Sequence, residues 1–237
     1  ILPGRQPMID TRRVLIPVRI HQDGRLHFGC GPSMRVGSAP TWAQALTRAG
    51  YDVLGIDLSP AMLALAKQKA PQARFQKASL LRAKLPPCAA VTALGEGVNY
   101  LFDEHGFDDV RALFTRVYDA LQPGGVFIFD IIEPGYLREA NPQKTFVEGK
   151  DWAILLESAE DTATQRLARR MTIFRQVGKQ FRRSAETHVV QLYKAAELAR
   201  ALRQTGFRVQ MMRGYGALKF RKAKAGFIAT KPQRGKI

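Results

Sequence analysis

AGYDVLGIDLSPAMLALAKQKA, residues 49–70, decides how this chain is read. Tyr51 to Ile56 is a short β-rich run, Asp57 closes it, and Ser59-Pro60 opens a helix. Ser59 can cap orphan amide donors, and Pro60 suits the first helical position because its missing N–H costs nothing there. Met62, Leu63 and Ala66 then fall on one helical face. The chain therefore turns sharply just beyond Asp57. In an open parallel sheet, ligands sit outside the carboxyl ends of the strands, so a carboxylate at that turn faces the crevice and can accept both hydroxyls of a ribose. A plainer role, capping the helix that follows, fits Asp57 as well.

Working outward, Trp42, Ala45, Leu46 and Ala49 form a helical pattern that Gly50 stops. Upstream, Arg25 to Gly31 (RLHFGCG) reads as the first strand running into a glycine turn, the way a nucleotide-binding loop begins. GPSMRVGSAP then runs irregularly to Pro40, and residues 1–24 form a lead-in whose only strand-like piece is Val14-Leu15-Ile16. Downstream, Ala73 to Ala78 and Ala89 to Leu94 read as the third and fourth strands. Together these give βαβαβ spacing and a doubly wound α/β sheet.

Phe107 to Leu121 carries Val110, Leu113, Phe114, Val117 and Leu121 on one helical face and ends at Pro123-Gly124-Gly125. Val126 to Ile132 is nearly all apolar, as expected of a strand buried on both faces. Trp152 to Tyr193 alternates in polarity with two turn signals and predicts a three-stranded antiparallel insertion. A helix over Ala195 to Gln204, ended by Gly206, and strands at Arg208 to Arg213 and Ala225 to Thr230 complete the chain.

At 237 residues and 46% hydrophobic content the sequence supports a sizeable core. No apolar run reaches bilayer-spanning length and the N-terminus lacks a secretory apolar segment, so no membrane association and a cytoplasmic location are expected. Two cysteines without CxxC spacing argue against a disulfide framework or a zinc site, and no metal is expected. The net charge is +17, and residues 201–237 hold ten Lys or Arg and no Asp or Glu. Such a balance suits contact with nucleic acid, anionic lipid or an acidic substrate. A solvated basic surface is the simpler account, since the cations are scattered through strand-like sequence.

Four stretches in this order resemble the class I S-adenosylmethionine-dependent methyltransferases: residues 49–66, VTALGEGVNYLF (91–102), LQPGGVFIFDI (121–131) and the ending ELARALRQTGF…GFIATKP. The resemblance spans about Arg25 to Pro232. It implies a Rossmann-like sheet of seven strands ending in an antiparallel pair, with an antiparallel β insertion, and S-adenosylmethionine as methyl donor. The core would comprise residues 25–133 and 193–232, the insertion residues 145–192 as an acceptor-side cap, and residues 233–237 a basic tail. By the same resemblance Gly29 and Gly31 lie under the methionine part of the donor, Asp57 on its ribose, and Leu58 and Met62 against adenine. Ser79 and Leu80 hold the adenine edge, while Glu96, Asn99 and Tyr100 line the meeting point of donor methyl and acceptor. Two departures stand out: His27 occupies a position where the family carries an acid, and about seven residues too many separate Gly29 from Trp42. An alternative alignment puts Gly37-Ser38-Ala39 in the loop.

Methyl transfer from a sulfonium is an in-line displacement for which the protein chiefly holds donor and acceptor in a near-attack geometry. An oxygen or protonated nitrogen acceptor also needs a base, and Glu96, Glu186 and His188 are candidates, with Tyr100 beside them. Glu186 and His188 are two residues apart on an expected strand, so they share a face at roughly 7 Å. A small-molecule acceptor is the leading expectation, because the insertion would close a pocket over the crevice. An RNA or protein acceptor is the alternative suggested by the basic C-terminal region, although GEGVNY lacks the proline-containing signature of amino-methylating nucleic-acid enzymes. A methyltransferase-like protein with impaired donor binding is the third. The oligomeric state is open.

Overall fold

The computed structural model describes residues 13–17, 42–100, 107–137 and 141–233. In chain order these form β1 (Arg13–Pro17), α1 (Trp42–Arg48), β2 (Asp52–Asp57), α2 (Pro60–Lys69), β3 (Arg74–Lys77), β4 (Cys88–Ala93), a 3₁₀ turn (Gly97–Tyr100), α3 (Phe107–Ala120) and β5 (Leu121–Ile132). There follow β6 (Gln143–Glu148), β7 (Trp152–Asp161), β8 (Arg166–Val177), β9 (Gln180–Gln191), α4 (Ala195–Thr205), β10 (Arg208–Met212), β11 (Gly214–Tyr215), β12 (Leu218–Lys219) and β13 (Lys224–Thr230). Among the described residues no helix is long and apolar enough to cross a membrane.

Seven strands make the main sheet, in the order β10-β13-β5-β4-β1-β2-β3. β1 pairs in parallel with both β2 and β4, while β13 runs antiparallel between β5 and β10. The chain leaves β1 toward β2 and β3 and then returns to β4 on its other side. That reversal is where an open α/β sheet forms its ligand crevice, beyond the carboxyl ends of the strands.

Helices cover both faces. Leu54 and Ile56 of β2 join the large core with Val110, Leu113, Phe114 and Val117 of α3 and Leu198 and Leu202 of α4, whereas Val53 packs with Ala43 of α1 and Val14. Alternate residues of a strand point to opposite faces, so the two clusters lie on opposite sides of the sheet. Phe127, Phe129 and Phe227 stack across β5 and β13 at centroid spacings of 4.5 and 4.6 Å. Gly125 is required where β5 meets β4, because a Cβ there would lie 2.9 Å from the carbonyl oxygen of Ala89.

Two expectations change. The first strand is Arg13–Pro17, and the expected one at Arg25 to Phe28 lies outside the described residues. A central parallel strand requires an apolar run, and RVLIP offers Val-Leu-Ile uninterrupted where RLHF is broken by His27. The antiparallel region has four strands rather than three, and they form a sheet of their own, β6-β7-β8-β9. The added strand, β6, is an edge strand exposed along most of its length, so no buried stripe announces it.

Candidate functional site

The turn after β4 is built on strain and held by a carboxylate. Gly95 and Glu96 are consecutive left-handed residues, with φ of 75° and 67°. A non-glycine residue in that region persists only where its surroundings over-determine it. Asp130, 1% exposed near the end of β5, supplies the restraint: its Oδ2 accepts the Gly95 N–H at 3.0 Å and its Oδ1 the Glu96 N–H at 2.8 Å. The Tyr215 hydroxyl donates to Oδ2 at 3.0 Å, and Lys224 Nζ lies 3.3 Å from Oδ1 and 3.7 Å from Glu96 Oε1. Burial, then the charge of Asp130 and its hydrogen bond, push the Tyr215 phenol well above its ordinary pKa, so it stays a donor.

Glu96 also receives Arg169 Nη1 at 2.8 Å, from β8 of the second sheet. Two carboxylates and two cations are thus gathered at the carboxyl ends of β4 and β5, and the contact ties the second sheet to the first. Each Glu96 oxygen thus faces a cation, Oε2 toward Arg169 and Oε1 toward Lys224.

Asn99 fixes the 3₁₀ turn. Its side-chain amide donates to the carbonyls of Ile132 at 2.9 Å and Gln191 at 2.7 Å, and its Oδ1 accepts the Ile132 N–H at 2.9 Å. The ends of β5 and β9 are thereby joined beneath Tyr100. The Tyr100 hydroxyl lies 3.3 Å from His188 Nδ1, the rings meet edge to face, and His188 Nε2 lies 3.1 Å from Glu186 Oε2. The two residues expected on one face of a strand are therefore in direct contact. Arg169 and His188 are paired across β8 and β9, so the ion pair and the Tyr100–His188–Glu186 chain leave the same face of the second sheet.

At the end of β2, Asp57 Oδ1 accepts the Ser59 N–H at 2.7 Å and Ser59 Oγ accepts the Met62 N–H at 3.3 Å. Leu58 is 63% exposed beside that carboxylate. Met62 instead packs inward with Ala66, Leu63, Leu65 and Phe75, and Leu80 is buried in the core. Ser79 shapes the turn after β3, its Oγ accepting the Leu81 N–H at 3.2 Å. Gly29 and Gly31 lie outside the described residues. Asp130, Arg169, Tyr215 and Lys224 were not among the expected site residues. A lone aspartate in the apolar run VFIFDII was the available signal for Asp130, since a carboxylate buried on both sides of a sheet needs partners.

The profile described as Methyltransferase domain matches residues 26–125. The YqeM protein of Bacillus subtilis (strain 168), which carries a methyltransferase name, is 27% identical over 172 residues, 69% of this chain and 68% of that protein. Residues 26–125 of the chain are thus similar to a methyltransferase domain. The fold of the chain is shared with a S-adenosylmethionine-dependent methyltransferase from Clostridium acetobutylicum, at a TM-score of 0.71 and 18% identity over 93% of this chain and 84% of that one. The sugar N-methyltransferase KedS8 from Streptoalloteichus gives a TM-score of 0.70 at 17% identity, over 94% and 81%. At the carboxyl end of β2, Asp57 stands next to the exposed Leu58. A carboxylate beside an open apolar side chain at a strand end is chemically suited to a ribose next to a purine.

Proposed function

We propose that this protein transfers a methyl group from S-adenosylmethionine to a nitrogen or oxygen of a small molecule, with the second sheet forming the acceptor side of the crevice. The observation that carries the reading is the Tyr100–His188–Glu186 chain standing over the end of β4. Asp57 would hold the donor ribose and Leu58 would lie against its adenine. The donor supplies an electrophilic methyl on a sulfonium.

The chain's own contribution is orientation and proton handling. Glu186 accepts Nε2–H of His188, which leaves Nδ1 as the acceptor facing Tyr100. A hydroxyl or ammonium placed at the Tyr100 oxygen then passes its proton toward Nδ1, and Glu186 stabilises the resulting imidazolium. Glu96 is a positioning residue in this scheme, since Arg169 and Lys224 occupy its carboxylate. The inward face of the second sheet also carries Leu156 and Met171, apolar surface suited to a small acceptor. That KedS8 is described as a sugar N-methyltransferase favours the same class.

Release of S-adenosylhomocysteine, followed over a panel of small amines and alcohols, tests the proposal. His188→Phe should lower turnover by about 10²- to 10⁴-fold with donor affinity unchanged. Turnover retained in that variant would remove His188 from the chemistry.

A further inference from the structure

A second feature of the carboxyl edge lies two strands away from β4. Glu133, immediately after β5, Lys194 at the start of α4, Arg213 between β10 and β11, and Phe220, Arg221 and Lys222 before β13 line an open groove of about 520 Å³. That size lies within the usual range for small-ligand pockets, roughly 300–1,000 Å³. Four cations face one carboxylate, and the carboxylate is already engaged. Glu133 Oε1 accepts the Ala195 N–H at 2.9 Å, and Oε2 lies 3.4 Å from Arg213. Lys194 is 3.5 Å from Glu197 on the exposed side of α4, whereas Arg221 and Lys222 pair with no carboxylate among the described residues.

The groove is also built rather than incidental. Ala223 is a non-glycine residue at φ 56°, and its carbonyl accepts the Glu133 N–H at 2.9 Å. This strained turn pins the Arg221–Lys222 segment to the end of β5. Phe220 is held by Tyr215 edge to face at 4.9 Å and by Lys224 over its ring, which connects the groove to the Asp130–Glu96 cluster.

We propose that this groove binds a phosphate group carried by the methyl acceptor, an inference that rests on the small-molecule reading above. Neighbouring strands are about 4.8 Å apart, so the groove lies roughly 10 Å from the end of β4. An acceptor spanning that distance would place its nucleophile at Tyr100 and its anionic end between Arg221, Lys222 and Lys194. Arg221 offers the planar donor fork that matches phosphate oxygens, and Lys222 and Lys194 add point charges.

The test uses the full chain with inorganic phosphate and pyrophosphate, at ionic strength matched with chloride, and the double variant Arg221→Glu/Lys222→Glu. Both positions are exposed, so folding should be intact. Pyrophosphate should bind the wild type and bind the variant at least about tenfold more weakly, while S-adenosylmethionine affinity is the same in both. Equal pyrophosphate affinity in the two proteins, or a wild-type response that chloride reproduces, would overturn the proposal. So would an RNA oligonucleotide that binds far more tightly than pyrophosphate, with a steep salt dependence lost in the variant, since that marks a polynucleotide surface. Pyrophosphate binding without any S-adenosylmethionine binding would instead sink the methyl-transfer reading and leave the anion site standing.

Discussion

Asp57 shows how two readings of one residue coexist. Its Oδ1 turns the chain into α2 by accepting the Ser59 N–H, the plain capping role, and the same bond fixes the carboxylate at the strand end, where a ribose would meet it. Asp57→Ala should therefore weaken S-adenosylmethionine binding by about 1.5–3 kcal/mol, the worth of hydrogen bonds to a charged acceptor, as measured by calorimetric titration. An affinity equal to that of the wild type would assign Asp57 to the turn alone. Glu186→Gln should keep donor affinity and lower turnover less than His188→Phe does, because the amide still accepts a hydrogen bond but no longer carries the charge that stabilises an imidazolium. At this scale the sequence was most informative where a residue type and a strand end coincided, as with Asp57, and where spacing fixed a face, as with Glu186 and His188. It was least informative where partners came from distant segments. Nothing local says that Glu96 meets Arg169, 73 residues later, or that Asn99 bridges β5 and β9.

The elements were legible in proportion to how strongly one face is buried. α3 and α4 carry fully apolar stripes, Val110–Leu113–Phe114–Val117 and Leu198–Leu202, and both were expected close to where they lie. β6 and the β11–β12 ribbon have little buried surface to set a period, and neither was foreseen. The contacts that dock the second sheet include the Arg169–Glu96 pair, the Tyr100–His188 contact, the Asn99 amide on the Gln191 carbonyl, and an apolar patch in which Leu167 and Val190 cover Ile132 and Leu192. Arg169→Met removes one partner of a buried pair and leaves Glu96 with Lys224 at 3.7 Å. Breaking such pairs costs on the order of 3–5 kcal/mol, and Lys224 should keep the loss near the lower end. Urea denaturation measures it, and the added change Glu96→Gln should restore part of the loss. A double variant no more stable than Arg169→Met would show that the charge of Glu96 is not what the arginine answers.

For the whole molecule, the net charge of +17 and the clustering of ten cations in residues 201–237 were read from composition, but the arrangement was not. Folding brings part of that charge to one groove and sets Lys224 against two carboxylates. The burial of two phenols makes stability depend on pH at the alkaline end. Burial, with the charge of Asp109 adding to it, pushes the Tyr193 phenol well above its ordinary value, and Tyr215 is raised by burial and by Asp130. The unfolded chain loses these protons near pH 10 while the folded chain still holds them. The stabilisation is thus fully present below about pH 10 and is lost as pH rises from there through the folded values. For a single phenol the slope cannot exceed about 1.4 kcal/mol per pH unit. Tyr193 should approach that limit more closely than Tyr215, whose part exposure lets solvent screen its charge. Urea midpoints measured from pH 8 to pH 11 should fall above about pH 10 in the wild type. Tyr193→Phe should flatten that fall, because phenylalanine has no proton to lose in either state. Tyr215→Phe should lower stability already at pH 8, since Asp130 loses a donor to its buried Oδ2, and should flatten the alkaline limb less. An alkaline slope in Tyr193→Phe identical to that of the wild type would show that the Tyr193 phenol does not set it.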